Sequence, residues 1–202
     1  MTDAERTRNI RGQGNRLRNE IIDAAEAIVD SSGVVGPLTL RGVARGAGIS
    51  APSIYAHFAD IEAIEDAVLE RSFAQLDEVV AAAIASESAP DEALVAGCLA
   101  YVNFAWDHRS RYRFMVAGGG FAPDAVTTFA RIEAALRECV SEGVSESTDA
   151  RSDSFLVWVG MHGMATLEKP DRSELRRLGP LDRVALTKTL ARTLAKLPVS
   201  KE

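Results

Sequence analysis

The chain has 202 residues, 47% apolar and 26% charged, with a net charge of −6. That length supports one moderate domain, or a small domain joined to a larger one, and the composition is that of an ordinary globular protein. No run of eighteen apolar residues occurs and the opening MTDAERTRNIRGQGNRLRNE lacks the apolar stretch of a signal peptide, so neither a transmembrane helix nor export is expected.

The charge is unevenly spread. Residues 6–57 hold seven arginines (6, 8, 11, 16, 18, 41 and 45) against four acids, whereas the rest of the chain is strongly acidic. A small basic module on an acidic body has this signature. The two cysteines, Cys98 and Cys139, each sit in an apolar helical pattern, which reads as buried free thiols in a cytosolic protein.

Nearly every segment reads as helix. Leu17, Ile21, Ile22, Ala25, Ile28 and Val29 form one apolar stripe, ended by Ser31-Ser32-Gly33. Thr39 caps a short helix running to about Gly46, and a tight turn follows at Ala47-Gly48-Ile49. Ser50 is a good N-cap for the next helix, with Pro52 in its first turn, where no backbone donor is missed. Asp60 caps a longer helix to about Ser86, with Ile61, Ile64 and Val68 leading a stripe that drifts to Leu69, Phe73, Leu76, Val80 and Ile84. At 1.5 Å per residue it is roughly 40 Å long, enough to join two domains mechanically.

Pro90 opens another helix, with Val95, Leu99, Val102 and Trp106 on one face; a short piece at Tyr112–Ala117 ends in Gly118-Gly119-Gly120. Phe129, Ile132, Leu136 and Val140 mark the next helix, and the polar SEGVSESTD loop follows. FLVWVGMHGMATL (Phe155–Leu167) is apolar on nearly every side, and a last helix carries Leu186, Leu190, Leu194 and Leu197. The fold class is all-α, with about nine helices.

The short helices around Gly48 follow a helix-turn-helix pattern. Ala44 lets the pair approach, Gly48 allows the positive φ of the turn, and Ile54 plugs the core between them. Ile49 and Phe58 also read as core. Thr39, Ala44, Ala47-Gly48-Ile49-Ser50, Ile54-Tyr55 and His57-Phe58 stand at the offsets of one known family. Residues 15–70 resemble the DNA-binding domain of TetR-family transcriptional regulators. The body fits too: WVGMHGMATLE resembles the WHG-type C-terminal domain of some members, and FAWDHRSRYRFM (Phe104–Met115) that domain's corresponding helix end.

The resemblance implies a flexible arm over residues 1–14, a helix-turn-helix DNA-binding domain over 15–60, and a helical effector-binding and dimerisation domain over 61–202. It places Thr39, Tyr55 and His57 at backbone phosphates, while Arg41 and Arg45 on the preceding helix add charge and Arg6, Arg8 and Arg11 reach toward a minor groove. Ser50, Ala51, Pro52, Ser53 and Ala56 complete the candidate DNA surface. Their small apolar groups suit thymine methyls, Ser53 can bond either way, and Arg45 can take a guanine. One position departs: the family usually has Lys at the start of the long helix, where this chain has Ile61. The alternatives stay open: His57 as a cap or packing residue, Arg41 and Arg45 as solvated charges.

A helix apolar all round needs cover on two sides. For Phe155–Leu167 that means its own domain and a second copy, which with Leu186–Leu197 builds a four-helix interface in a two-fold homodimer. The resemblance also implies an effector pocket, with Phe104, His108, Tyr112, Met115, Phe129, Trp158, Met161 and His162 as candidates; the plain alternative is an aromatic core. Trp158 and His162 are i, i+4 neighbours and suit a hydrophobic small molecule with one polar group.

Rival readings are an enzyme and a helical protein-interaction module that kept the fold and lost DNA binding. The histidines and cysteines show no metal spacing, and neither Gly-x-Ser-x-Gly nor a phosphate loop occurs. No catalytic residue, cofactor or metal is expected. The partners expected are a double-stranded DNA operator, a small-molecule effector and a second copy, in the cytoplasm and away from membrane.

Overall fold

The computed structural model describes residues 13–31, 38–117, 125–167 and 182–198. Among these it holds nine helices and no strand, as expected: α1 (Gln13–Ser31), α2 (Leu40–Gly46), α3 (Ala51–Ile54), α4 (Ile61–Ala85), α5 (Pro90–Asp107), α6 (Arg109–Val116), α7 (Ala125–Ser141), α8 (Ala150–Thr166) and α9 (Arg183–Leu194). The chain divides into two compact units, Met1–Arg71 and Ser72–Glu202, the division falling within α4. The N-terminal arginines, the Ser32-Gly33 stop and the triple glycine Gly118–Gly120 lie outside the described residues.

The first unit is built on α1, whose apolar stripe buries Ile21, Ile22, Ala25 and Val29; Leu17 and Ile28 are half-buried. α1 packs on α2, and α2 on α3. Gly46 lets the end of α2 come close to α1, because a Cβ there would stand 3.2 Å from that of Ala24. Thr39 caps α2 by accepting from the Gly42 N–H at 3.1 Å, and Asp60 caps α4 by accepting from that of Ala63 at 2.8 Å. On α4, Ile64, Ala67 and Val68 are buried, and Arg71 pairs with Asp23 and Glu26 of α1.

In the second unit α5 is central, packing against α6, α7, α8 and α9. Contact on so many sides widens its buried surface beyond the expected stripe. Leu94, Val95, Cys98, Tyr101, Val102 and Ala105 form the core, while Leu99 and Trp106 are half-buried. A Cβ at Gly97 would lie 2.8 Å from Ile84 Cγ1, so this glycine lets α4 seat against α5. The helix before the triple glycine starts earlier than its sequence suggested: His108 (φ −118°, ψ 49°) breaks the chain between α5 and α6.

α8 and α9 pack through small residues. A Cβ at Gly160 would meet Leu190 Cδ2 at 2.8 Å and Leu194 Cδ1 at 3.0 Å. The buried face of α9 is Thr187 and Ala191, continued by Ala195 just past its end, and the leucine stripe sits at its edge, with Leu190 and Leu194 against Gly160, Leu186 exposed and Leu197 buried. Lys196 at the end of α9 is tied back by its Nζ to Asp153 (2.7 Å) and by its carbonyl, which accepts from the Glu146 N–H (3.1 Å). Both cysteines are free and buried, as their apolar settings implied. Burial pushes the Cys98 thiol up to about 12 and the Cys139 thiol up to about 11.

Candidate nucleic-acid interface and effector site

The turn between α2 and α3 is set by Gly48 at φ +66°, and the Ile49 N–H closes it by donating to the Ala44 carbonyl at 2.9 Å. Ala44 and Ile54 are buried beneath it. This leaves α3 a single turn, with Ala51, Pro52 and Ser53 on its outer side and Tyr55, Ala56 and His57 just beyond. Tyr55 is 60% exposed, a large aromatic held out into solvent while its neighbours Ile54 and Phe58 are buried. Thr39, Arg41 and Arg45 are exposed on or beside α2, and His57 is half-buried.

Ser50 departs from its expected role. It stands at the N-cap position, but its hydroxyl makes no cap bond and instead meets the Ser53 hydroxyl at 2.7 Å. The candidate base-reading hydroxyl of Ser53 is thus engaged with that of Ser50, and the face they share is mainly methyl and methylene. Arg18 escaped the sequence reading as a site residue. Its guanidinium lies 5.0 Å from the centre of the Phe58 ring, which anchors an exposed α1 cation beside the motif. Only the local charge excess hinted at it.

In the second unit the effector candidates fall into separate groups. Phe104 packs on the His108 ring with centroids 4.8 Å apart, His108 itself being exposed. Tyr112, Met115 and Met161 are buried. The Tyr112 hydroxyl meets His162 Nδ1 at 2.8 Å, and the Tyr101 hydroxyl meets that of Tyr112 at 2.8 Å. Trp158 stacks on His162 at 5.5 Å with 17° between planes, Phe155 on Trp158 at 6.1 Å, and Phe129 sits edge-on to Phe155 at 6.2 Å. Burial lifts the Tyr101 phenol to about 12 and raises that of Tyr112 further; it also lowers His162 below the usual histidine value.

A groove of about 590 Å³ opens along this aromatic run, lined by Val126, Phe129, Arg151, Ser152, Phe155 and Leu156. Of the eight sequence candidates only Phe129 borders it. Tyr101, Phe155 and Arg151 were not among them. Tyr101 lies one turn before Phe104 on the same helix, a spacing that carried the signal, whereas Arg151 sits in a polar segment that gave none. Among the described residues no group of His, Cys, Asp and Glu is arranged to hold a metal, and no helix is long and apolar enough to cross a membrane.

A glycine-turned pair of short helices with an exposed, arginine-flanked face, followed by a larger helical unit, defines a helix-turn-helix DNA-binding protein with a separate body. Family comparison agrees in both parts. Residues 21–68 match the model for bacterial regulatory proteins of the tetR family, and residues 94–194 match the tetracyclin repressor-like C-terminal domain. The chain belongs to the TetR family of DNA-binding transcriptional regulators.

Several solved structures share the fold. A protein of unknown function from Rhodococcus sp. RHA1 is 26% identical, with TM-score 0.72, over 89% of this chain and 93% of its own. A tetR-family bacterial regulatory protein from Rhodococcus RHA1 is 17% identical, with TM-score 0.69, over 91% and 99%. RolR in complex with resorcinol is 16% identical, with TM-score 0.65, over 95% and 99%. No curated protein matches the chain in sequence.

Proposed function

We propose that the protein acts in the cytoplasm, without catalysis of its own, as a homodimeric repressor released from its operator by a small, largely hydrophobic effector. The observation that carries the DNA reading is the solvent-facing side of the α3 segment: Tyr55 is 60% exposed between buried Ile54 and Phe58, a large aromatic turned to solvent. Thr39, Tyr55 and His57 hold phosphates, helped by Arg41 and Arg45. Ala51, Pro52, Ser53 and Ala56 face the bases, with Ser50 fixing Ser53. Such a face reads few hydrogen bonds, so DNA shape contributes to selectivity.

Dimerisation rests on apolar surface. Leu156, Val159 and Leu167 of the α8 segment and Leu186 of α9 are each at least 40% exposed in the single chain. Gly163 has open space around its Cβ position, room for a second helix. Two copies place two short reading helices on one duplex and multiply a weak individual grip. Effector binding among Tyr112, Trp158 and His162, near the groove beside Phe129, shifts the population toward an arrangement whose half-site spacing no longer fits the roughly 34–36 Å repeat of DNA. RolR, a solved neighbour, carries resorcinol, a small aromatic molecule, which supports an effector of that size.

Ile61 and the acidic overall charge favour a second reading, a helical interaction module that has given up DNA. Mobility shift of genomic fragments near the protein's own gene, at several salt concentrations, separates the two. A salt-sensitive shift that Tyr55→Ala abolishes, with the melting temperature unchanged, supports the regulator; no shift at low salt rejects it.

A further inference from the structure

The tyrosine pair under α8 does more than fill space. Each phenol owns one proton, and in the described structure the Tyr101 hydroxyl, 4% exposed as a residue, meets only that of Tyr112, which is 2% exposed and also meets His162 Nδ1. Two proton arrangements fit these contacts. In the outward one Tyr101 donates to Tyr112, Tyr112 donates to Nδ1, and the imidazole carries its hydrogen on Nε2. In the inward one Nδ1–H donates to Tyr112, which then either donates on to Tyr101 or accepts from it as well, and one phenol proton, that of Tyr101 or of Tyr112, finds no acceptor within the chain of three. An orphaned buried donor forfeits its desolvation cost, which favours the outward form by about tenfold or more. A protonated imidazole also donates from Nδ1 and forces the inward chain, so the same bookkeeping keeps His162 neutral.

We propose that the Tyr101–Tyr112–His162 chain locks His162 as the neutral Nε2–H tautomer, so that the body selects planar apolar ligands by an acceptor oxygen; the ligand half of this rests on the effector reading above. The geometry around the ring supplies the rest. Trp158 and Phe155 continue the imidazole stack, and Phe129 carries it edge-on into the groove, a surface for a flat apolar frame. The charged group lining that groove is Arg151, 75% exposed, whose nearest carboxylate is Glu133 at 3.4 Å, already held by Arg137 at 2.5 Å. Among the described residues that line the groove none is a carboxylate. On this proposal a carbonyl or carboxylate oxygen meets the Arg151 guanidinium in the groove or an Nε2–H at the imidazole end of the stack, whereas the charge that the described lining offers an ammonium is a like one.

The test begins in the free protein, without DNA or effector. Nitrogen-15 NMR of labelled histidine at pH 7, assigned with His162→Gln, should find His162 bare at Nδ1 and protonated at Nε2. Tyr101→Phe should keep that tautomer, because Tyr112 still has a proton to place. Tyr112→Phe should yield a mixture, which loss of packing alone does not produce. Fluorescence titration then compares naphthoate, acetylnaphthalene and naphthylmethylammonium. The two oxygen probes should bind at least tenfold more tightly than the amine, and Tyr112→Phe should narrow that gap.

A proton on Nδ1, or an imidazolium, in the unmodified protein overturns the lock. An amine bound as tightly as naphthoate, or no probe bound at millimolar concentration, overturns the ligand class. Operator binding enters none of these measurements, so a failure of the DNA reading is told apart from a failure of this one.

Discussion

On the proposed reading Tyr55 supplies a DNA contact and Ile61 leaves one out. Tyr55 is exposed beside buried Ile54, whereas Ile61, half-buried at the first position of α4, offers no charge where the family usually has one. Ile61→Lys should restore a phosphate contact and steepen the dependence of log affinity on log salt by about one unit, as measured by mobility shift across a salt series. An unchanged slope means that position 61 does not face the backbone. Most of this motif was legible because local geometry dictates it: Thr39 caps and Gly48 turns as their types demand. Ser50 was not, because its hydroxyl has a choice of partners and takes Ser53. Arg18 against Phe58 joins segments far apart in sequence, which no local pattern reports, and the spacing that sets Tyr101 beside Phe104 does not name its partner, Tyr112 of the next helix.

At the scale of elements, helix existence could be read from periodicity, but the facing of each stripe was set by its neighbours. α5 turns Cys98 and Tyr101 inward and leaves Leu99 half-buried, because four helices pack around it. On α9 the buried residues are Thr187 and Ala191, while Leu190 and Leu194 ride at the edge, against Gly160 of α8. Two predictions belong here. Gly48 sits at φ +66° with open space around it, so Gly48→Ala creates no clash but strains the turn. It should destabilise the protein by about 1 kcal/mol in urea unfolding.

Asp153 accepts from Ser147 Oγ at 2.6 Å and pairs with Lys196 at 2.7 Å, clasping the end of α9 to the start of α8. Burial pushes its carboxyl up, but Lys196 and Ser147 more than offset this and hold it below its usual value of 3.8. A depressed carboxylate contributes stability that is present above 3.8 and fades as the pH falls through its lower folded value. Asp153→Asn should therefore cost about 2 kcal/mol at pH 7. Urea unfolding should find that penalty shrinking as the pH is taken below the normal carboxylate range.

For the whole molecule, exposed apolar surface carries the inference of a pair. Val159 is 48% exposed and Leu156 51% exposed on α8 of the single chain, a patch that water alone covers poorly. Val159→Glu should leave the helical content intact, split the dimer, and weaken operator binding by more than tenfold, because each copy then binds a half-site alone. The most direct measurement is light scattering on the purified protein, alone and mixed with a DNA duplex drawn from fragments it retains. Two chains in solution, and two on each duplex, are the masses expected. A lone chain that associates with no duplex in dilute buffer contradicts the paired-helix account at its root.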